Sequence, residues 1–499
     1  MNPGLSEKMG KGGDDLEILL DLLGELSDLP VSSVTRFWKP LWRLLGVSMQ
    51  RGGVVVQAWR IRLDRRHRSS LRQNSLALYG AQGLGRWLGR GFWAVMDQGL
   101  FATSNFVLNM LLARWLTLQD YGAFTIAFAV FLFFGTFHTA LLSEPMLVLG
   151  PGRYSGRLSE YMDVLLYAHL GFAALGCLML LLASLGFGLS GSRVFALLLL
   201  GLALAGPCIL FLWLMRQACY VRLEPHLAAS GGALYLALML VGAYALHQRE
   251  WLSPISALGV MGFSSLAAGL WLAVHLHIGR PPLVSHGLFR EALRDHWGYG
   301  RWAAATEALS WIPGNVYYLL LPAWGGLEAS AVLKALGNLT MPILLTNAAL
   351  SVLLVPALMR ARRDGRFGHL VRLALTLFTA GAALYWVLLG LFQQQLVAWL
   401  YGGQYREYEH LLWLLGFSPL IAGAVKALGA ALRALERPDR LFWAHLLSTI
   451  VTLTLGLGCM AAWGIVGVGV GFVLSDAAKA LAIGVYYRRL GKAHFSEES

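Results

Sequence analysis

The chain alternates between apolar stretches and short polar gaps from about residue 94 to residue 489, and twelve stretches are long enough to form one membrane span each. A hydrocarbon core about 30 Å thick requires about 20 apolar residues per helical crossing. Because every backbone polar group in lipid must be paired within the protein, such stretches form helices or closed barrels. The pattern therefore predicts an all-α, polytopic membrane protein with about 12 transmembrane helices. The predicted spans are 94–116, 122–149, 161–187, 193–215, 226–247, 254–277, 298–321, 329–357, 369–392, 410–433, 439–462 and 464–487.

Composition and the placement of charge agree with this prediction. Charged residues make up 13% of the chain, against about 25% in soluble domains. The formal charge of +13 comes mainly from Lys and Arg in every second gap and near both termini. Cytoplasmic loops carry such an excess, so the pattern places both termini in the cytoplasm and excludes a nucleic-acid partner. Arg216 is assigned to a cytoplasmic loop and Asp97 to the cytoplasmic membrane interface, whereas Asp476 and Lys479, at i and i+3, are predicted to neutralise each other.

The spacing of cysteine and histidine predicts no metal site and no cofactor. The four cysteines lie in or at the ends of apolar stretches without CxxC spacing, and the histidines show no ligand spacing. We therefore predict no catalytic residue.

Residues 1–90 differ from the rest and are predicted to form a cytoplasmic N-terminal extension. Residues 14–29 combine acids with leucines at helical spacing, which predicts an acidic amphipathic helix. Residues 36–72 are basic and interleaved with Trp38, Trp42 and Trp59, a composition typical of a segment that lies on membrane lipids. This arm either docks a partner protein or is a tail without that role, with Met49 as an alternative start.

The loop at about 278–297 divides the spans into six plus six. We predict a first six-helix lobe over 91–278, a cytoplasmic inter-lobe linker over 279–297, a second six-helix lobe over 298–490 and a C-terminal tail over 491–499. Residues 111–119 and 320–328 share letters at the outer end of the first span of each half, which favours an internal duplication.

Six short motifs occur in a characteristic order: LARWL at 112–116, YGAF at 121–124, EP at 144–145, LYGGQY at 400–405, ALRALER at 431–437 and WGIVGV at 463–468. Together they resemble the multidrug/oligosaccharidyl-lipid/polysaccharide (MOP) exporter superfamily, in its polysaccharide and O-antigen flippase branch, over about 91–490. The resemblance implies two six-helix lobes around a central cavity, alternating access and a bacterial cytoplasmic (inner) membrane. It also implies an elongated lipid-linked sugar as the substrate.

The first span carries a line of polar side chains. Gln98, Asn105 and Asn109 follow one another at i, i+7 and i+11 and therefore share one helical face. Such a line either hydrogen-bonds hydroxyl groups in a cavity or joins packed helices. Arg114, near the outer end of this span, is a candidate contact for a phosphate at the exit, or an anchor at the membrane surface.

The seventh span places Glu307, Trp311 and Tyr318 on one face, at i, i+4 and i+11. A carboxylate with aromatic rings suits sugar recognition, because the rings stack on the sugar while the acid accepts hydroxyl protons. The acid is equally suited to a coupling proton or cation, and a helix-packing face is the structural alternative. Pro313 would loosen this helix.

Cations within the spans are candidates for binding an anion. Lys334 and Asn338 lie at i and i+4 in the eighth span, and Lys426 and Arg433 at i and i+7 in the tenth. A lipid pyrophosphate carries about two or more negative charges, and fixed cations lower the cost of removing it from water.

These features favour a flippase that moves a polyprenyl-pyrophosphate-linked oligosaccharide to the outer leaflet. No GxxxxGK[ST] motif is present, so the energy would come from H⁺ or Na⁺, the membrane potential, consumption of the product or a partner. The expected partners are the lipid-linked oligosaccharide, membrane lipids and polysaccharide-assembly proteins bound by the N-terminal arm. The alternatives are an ion-coupled drug or cation antiporter of the same superfamily, a membrane glycan polymerase or ligase, and a scaffold that transports nothing.

Overall fold

The computed structural model describes residues 71–279, 286–435 and 437–497. The predicted acidic helix at 14–29 and nearly all of the basic segment at 36–72 lie outside the described residues. Contacts divide the chain into one unit of residues 1–92 and another of residues 93–499. The described part of the first unit is the beginning of one long helix, and the second unit contains the helical bundle.

The first half of the bundle consists of six long helices with short connections. They are α1 (Leu71–Trp115), α2 (Leu118–His138), α3 (Leu158–Leu189), α4 (Arg193–Val221), α5 (Pro225–Gln248) and α6 (Pro254–His275). Helix α2 continues through a π-helical turn, Thr139–Ser143, into a further segment, Glu144–Leu149. Residues at the N-terminus of α6 determine where this helix begins. The Ser253 and Ser256 side chains form a capping box there, and Pro254 occupies the first turn.

The second half contains more breaks. Its elements are α7 (His286–Leu320), α8a (Pro322–Asn338), α8b (Met341–Arg363), α9 (Phe367–Leu391), a short helix (Gln393–Tyr401), α10 (Leu411–Leu415 and Phe417–Ala434) and α11 (Pro438–Val451). Helix α11 continues through a π-helical turn, Thr452–Gly456, into the segment Leu457–Glu497. Gly464, with φ of 57°, breaks that segment, and α12 is the part that follows.

Nine helical stretches of the described residues are long and apolar enough to cross a membrane, or ten if the bent pair α7 and α8a counts as one span. One of the nine, Asp439–Arg489, contains the break at Gly464 and therefore both α11 and α12. Helix α1 is long enough but carries Asp97, Gln98, Asn105 and Asn109, which lower its hydropathy. The prediction of an all-α membrane protein with about 12 helices is confirmed.

The predicted span 329–357 is wrong as a single helix. Helix α8a ends at Asn338 and α8b begins at Met341, with Pro342 in its first turn. A proline is tolerated there because the first-turn N–H groups have no partner within the helix. Helix α7 also begins at His286, inside the predicted linker, and bends by 108° into α8a.

Small residues allow the helices to pack closely. In the first half α4 is central and packs on α3 and α6; a Cβ on Gly262 of α6 would lie 2.9 Å from Cα of Ala205. In the second half α10 packs on α8b, α9 and α12, with Gly423 against the backbone of Phe378. Close backbone approach of this kind is typical of helices in membranes.

Helix α7 packs on both halves of the bundle. In its N-terminal half, Gly300 lies against Ala140 in the π-helical turn that follows α2. Near its C-terminal end, the buried Tyr317 ring lies against Gly456 in the π-helical turn of α11. Between them, the Thr449 hydroxyl of α11 donates to the Leu309 carbonyl at 2.7 Å. That carbonyl needs a partner from outside the helix, because Pro313 has no N–H to donate to it.

Replacing Gly122 by alanine tests the close contact between α2 and α8a. A Cβ at Gly122 would collide with the backbone carbonyl of Leu327, so G122A should force the helices apart and destabilise the protein by about 1–3 kcal/mol. Thermal unfolding in detergent measures the effect. G259A is the control, because a Cβ at Gly259 meets nothing within 4 Å. Equal melting temperatures for the two variants would contradict this packing.

Candidate functional site

A buried ion pair joins α1 and α4 in the first half of the bundle. Asp97 is 0% exposed and Arg216 7%. Arg216 donates from Nε to Oδ1 of Asp97 at 3.0 Å and from Nη2 to Oδ2 at 2.7 Å. The Tyr220 hydroxyl donates to the same Oδ2 at 2.6 Å, and the guanidinium carbon lies 3.9 Å from the centroid of the Phe101 ring.

The prediction that Arg216 lies in a cytoplasmic loop is wrong. Helix α4 extends to Val221, beyond the predicted end of the span at 215, so Arg216 is inside a packed helix. An arginine within a span is tolerated when a buried carboxylate neutralises it and both groups are hydrogen-bonded.

A chain of hydrogen bonds joins α1, α2 and α8a at the end of the bundle that the predicted topology places outside. The Asn338 amide donates to the Tyr121 hydroxyl at 3.0 Å, and that hydroxyl donates to Oδ1 of Asn109 at 3.4 Å. All three side chains are buried. Asn109 and Asn338, predicted as substrate contacts, are thus brought together by Tyr121, which the sequence analysis did not single out.

A second set of contacts lies beside this chain. Arg114 donates to the Trp399 carbonyl at 2.8 Å, and the Gln404 amide donates to the Arg114 carbonyl at 3.3 Å. The buried Tyr405 hydroxyl donates to the Ala113 carbonyl at 3.1 Å. We call the contacts of Asn109, Arg114, Tyr121, Asn338, Gln404 and Tyr405 the outer seam. The seam connects the first half of the bundle to the second.

The three polar side chains predicted to line one face of α1, Gln98, Asn105 and Asn109, lie in different environments. Gln98 is exposed, and its amide lies 3.4 Å from the Tyr220 hydroxyl. Asn105 is half-buried and donates to the Phe101 carbonyl of its own helix at 3.1 Å. With Asn109 buried in the outer seam, Gln98 is the member of the line whose side chain is open to a ligand.

The predicted face of α7 meets α2 and α8a. Glu307 is exposed, and among the described residues its carboxylate contacts the Ser310 hydroxyl, at 3.3 Å, and no cation. The Trp311 ring packs edge-to-face on Phe133 of α2, with centroids 5.2 Å apart. Its indole N–H is buried, and no partner for it exists in the part of the chain that the structure describes.

Lys334 of α8a lies between two aromatic rings. Its ammonium is 5.3 Å from the centroid of Phe128 and 5.7 Å from that of Tyr318. Two predicted site residues, Lys334 and Tyr318, are therefore neighbours. Cation–π contacts partly compensate the ammonium for lost water. No carboxylate of residues 93–279, 286–435 or 437–489 lies within ion-pair distance of it.

The second half contains a group of basic side chains on α10, α11 and α12. Lys426 and Arg433 of α10 are exposed. Lys426 interacts electrostatically with Arg433 and with Lys479 of α12, and all three interact with His445 of α11. We call these four residues the basic group. The predicted pairing of Asp476 with Lys479 is confirmed at 3.4 Å. Ser418 also donates to Asp476, at 2.5 Å, so among the described residues one acid is paired with a group that contains two lysines, an arginine and a histidine.

Polar contacts also hold the N-terminal end of α7 to the connection between α2 and α3. Arg153 pairs with Glu291 at 3.1 Å and with Asp295 at 3.0 Å. The Tyr154 hydroxyl donates to Asp295 at 2.7 Å. Burial and the neighbouring Asp295 carboxylate raise the pKa of Tyr154, so its phenol remains a hydrogen-bond donor.

Metal-ligating residues do not converge in the part of the chain that the structure describes, where no group of three His, Cys, Asp or Glu side chains is placed to hold an ion. The four cysteines are free. Nε2 of His138 and Nδ1 of His169 lie 3.0 Å apart, and the two rings are buried between α2 and α3.

Comparison with known proteins identifies the fold. No family model and no curated protein matches the sequence. The structure is similar to an inward-facing multidrug resistance MATE family transporter of the MOP superfamily, with a TM-score of 0.68, 15% identity and coverage of 81% of this chain and 100% of that one. It is also similar to the lipid II flippase MurJ in an inward closed conformation, with a TM-score of 0.64, 12% identity and coverage of 80% and 87%.

An outward-facing MATE transporter gives a TM-score of 0.59 at 16% identity, covering 80% of this chain and 96% of that one. The chain therefore has the fold of the MOP superfamily. It is an integral membrane protein of that fold, and identities this low leave the cargo to be argued from the site.

Replacing Tyr121 by phenylalanine tests the outer seam. Y121F would leave the buried Asn338 amide without its partner, at a cost of about 1–3 kcal/mol, so the variant should melt at a lower temperature than wild type. The double variant Y121F/N338L, which removes both polar groups, should regain part of the loss. If Y121F melts like wild type, the hydrogen bond does not join the two halves.

Proposed function

We propose that this protein is a flippase that moves a polyprenyl-pyrophosphate-linked oligosaccharide, a precursor of O antigen or exopolysaccharide, from the cytoplasmic to the outer leaflet of a bacterial inner membrane. The observation that carries the proposal is the excess of cations in the second half of the bundle. The basic side chains of the basic group outnumber the one acid that is paired with them, and Lys334 has no acid partner among the described residues.

The pyrophosphate is the part of such a cargo that is hardest to move. Burying an unpaired charge in an apolar medium is very costly, and even an insertion-based scale assigns about 2.5–3.5 kcal/mol to one charged side chain at mid-membrane. Lys426 and Arg433 are exposed cations that would take over the hydrogen bonds of the lost water. Gln98, Trp311 and Tyr318 supply the amide and aromatic surfaces that sugar rings require.

Alternating access would use the outer seam as one of its two gates. While the seam joins the outer ends, cargo enters from the cytoplasmic side. Opening outward requires Asn338 to leave Tyr121 and Arg114 to leave the Trp399 carbonyl. In this proposal the predicted lobes, 91–278 and 298–490, are the moving bodies, and Asn109, Arg114 and Asn338 act as gate contacts. Both termini lie in the cytoplasm, where the N-terminal arm docks polysaccharide-assembly proteins.

A gradient of H⁺ or Na⁺ would drive the cycle, with Glu307 as the acid that binds the ion. Glu307 is suited to this role because its carboxylate contacts Ser310 and no described cation. The proposal needs no catalytic residue, and the protein is not an enzyme.

The second candidate is an ion-coupled antiporter for drugs or organic cations, which the similarity to MATE transporters favours. Such a cargo requires acids in its path. Among the described residues, the charged groups without an ion-pair partner instead include Lys334, Lys426 and Arg433, so the charge balance favours an anionic cargo.

Transbilayer movement of a labelled polyprenyl-pyrophosphate oligosaccharide in proteoliposomes tests the proposal. K426A/R433A removes two cations from the basic group, and the rate at limiting cargo should fall at least about 10-fold, since a hydrogen bond to a charged group contributes about 1.5–3 kcal/mol. R249A is the control, because Arg249 lies over Trp251, outside the basic group. An unchanged rate in K426A/R433A, with R249A also unchanged, would remove the basic group from the cargo path.

A further inference from the structure

The α1–α4 ion pair lies outside the basic group, and the proposed transport does not use it. Asp97 has no exposed surface, and its two carboxylate oxygens already accept four contacts. Oδ1 accepts from Arg216 Nε, while Oδ2 accepts from Arg216 Nη2, from the Tyr220 hydroxyl and, at 3.5 Å, from the Gln98 amide. The carboxylate offers no oxygen to a further cation while these donors stay in place.

Arg216 is held as firmly as the acid that it neutralises. Its guanidinium lies over the Phe101 ring of α1, so the same helix provides both the carboxylate and the aromatic surface that bind it. A guanidinium remains protonated in proteins and matches a carboxylate with two parallel hydrogen bonds. Displacing it would leave a buried cation without an anion, which is strongly unfavourable.

We infer that Arg216 is a built-in cation that permanently occupies the α1 carboxylate, so that Asp97 binds neither a coupling proton nor Na⁺. The first half of the bundle then contributes no exchangeable ion at this position. The pair acts as a fixed connection between α1 and α4. Any ion that couples transport must bind elsewhere, in agreement with the role proposed for Glu307.

The surroundings of Asp97 define what removing Arg216 would do. Helix α4 also presents the Tyr220 phenol and the Cys219 thiol to it, and α5 approaches with Gly232, which has no side chain. In the described residues around Asp97, Arg216 is thus the group that supplies positive charge. Without it, the carboxylate would require a free cation or a proton, and the site would become exchangeable.

Melting temperatures of the purified full-length protein in detergent test this inference. Each variant is compared in NaCl and in choline chloride of equal ionic strength, and then at neutral and mildly acidic pH. Wild type should show no Asp97-dependent response to either change. R216Q should melt several degrees lower in choline chloride at neutral pH and regain part of the loss in NaCl or on acidification. D97N/R216Q should lose that recovery, and R222Q, the same substitution six residues further along the chain and just after the end of α4, should respond like wild type.

Two results would overturn the inference. One is a stabilisation of wild type by Na⁺ or acid that disappears in D97N/R216Q, because the native carboxylate would then bind an exchangeable ion. The other is an R216Q protein that folds but responds to neither Na⁺ nor acid. If R216Q does not fold, the comparison of wild type with D97N/R216Q still decides, since removing both members of a buried pair is tolerated better than removing one. The readout is stability, so a wrong cargo assignment would leave the result unaffected.

Discussion

The constraint on which the rest of this structure depends is that a charge inside a membrane bundle must find a partner. Asp97 and Arg216 meet it completely, with both oxygens and the guanidinium fork engaged. Asp476 and Lys479 meet it in the second half. Among the described residues, the cations without an acid partner are above all Lys334, Lys426 and Arg433, and we propose that they form the surface at which a ligand of opposite charge is stabilised. The candidate site therefore consists of the charged side chains that are left once the structural ion pairs are set aside, and its net charge is positive.

The same constraint explains how the two halves are joined. In the outer seam, buried amide and phenol groups of different helices satisfy one another through Tyr121. At the N-terminal end of α7, Arg153 and Tyr154 hold the helix through Asp295. In the proposed cycle, water can replace the partners of such polar contacts when a gate opens, whereas a buried apolar contact has no such substitute. Helix α7 packs on both halves and is softened at Pro313, so it can transmit movement between them.

The sequence predicted the helices better than the contacts between them. Helices that span a membrane can be predicted from the length of apolar sequence, which is a local property. About twelve helices were expected, and the structure has about twelve. The break between α8a and α8b was missed because the residues around it remain apolar. Arg216 was placed in a loop because charge counting treats an arginine near a span end as exposed, whereas its partner lies 119 positions earlier in the chain. The pairing of Asn338 with Tyr121 spans 217 positions and has no signature in either segment.

The central claim is that the unpaired cations select an anionic, lipid-linked cargo rather than an organic cation. Fold similarity does not decide this, since MATE transporters and a lipid II flippase match comparably well. A direct measurement of binding to the purified protein does decide it. The binding of a short-chain polyprenyl pyrophosphate and that of a lipophilic organic cation are compared by calorimetry in the same detergent. The account predicts binding of the pyrophosphate that weakens as salt is raised, and no binding of the cation. Saturable binding of the cation alone would contradict it.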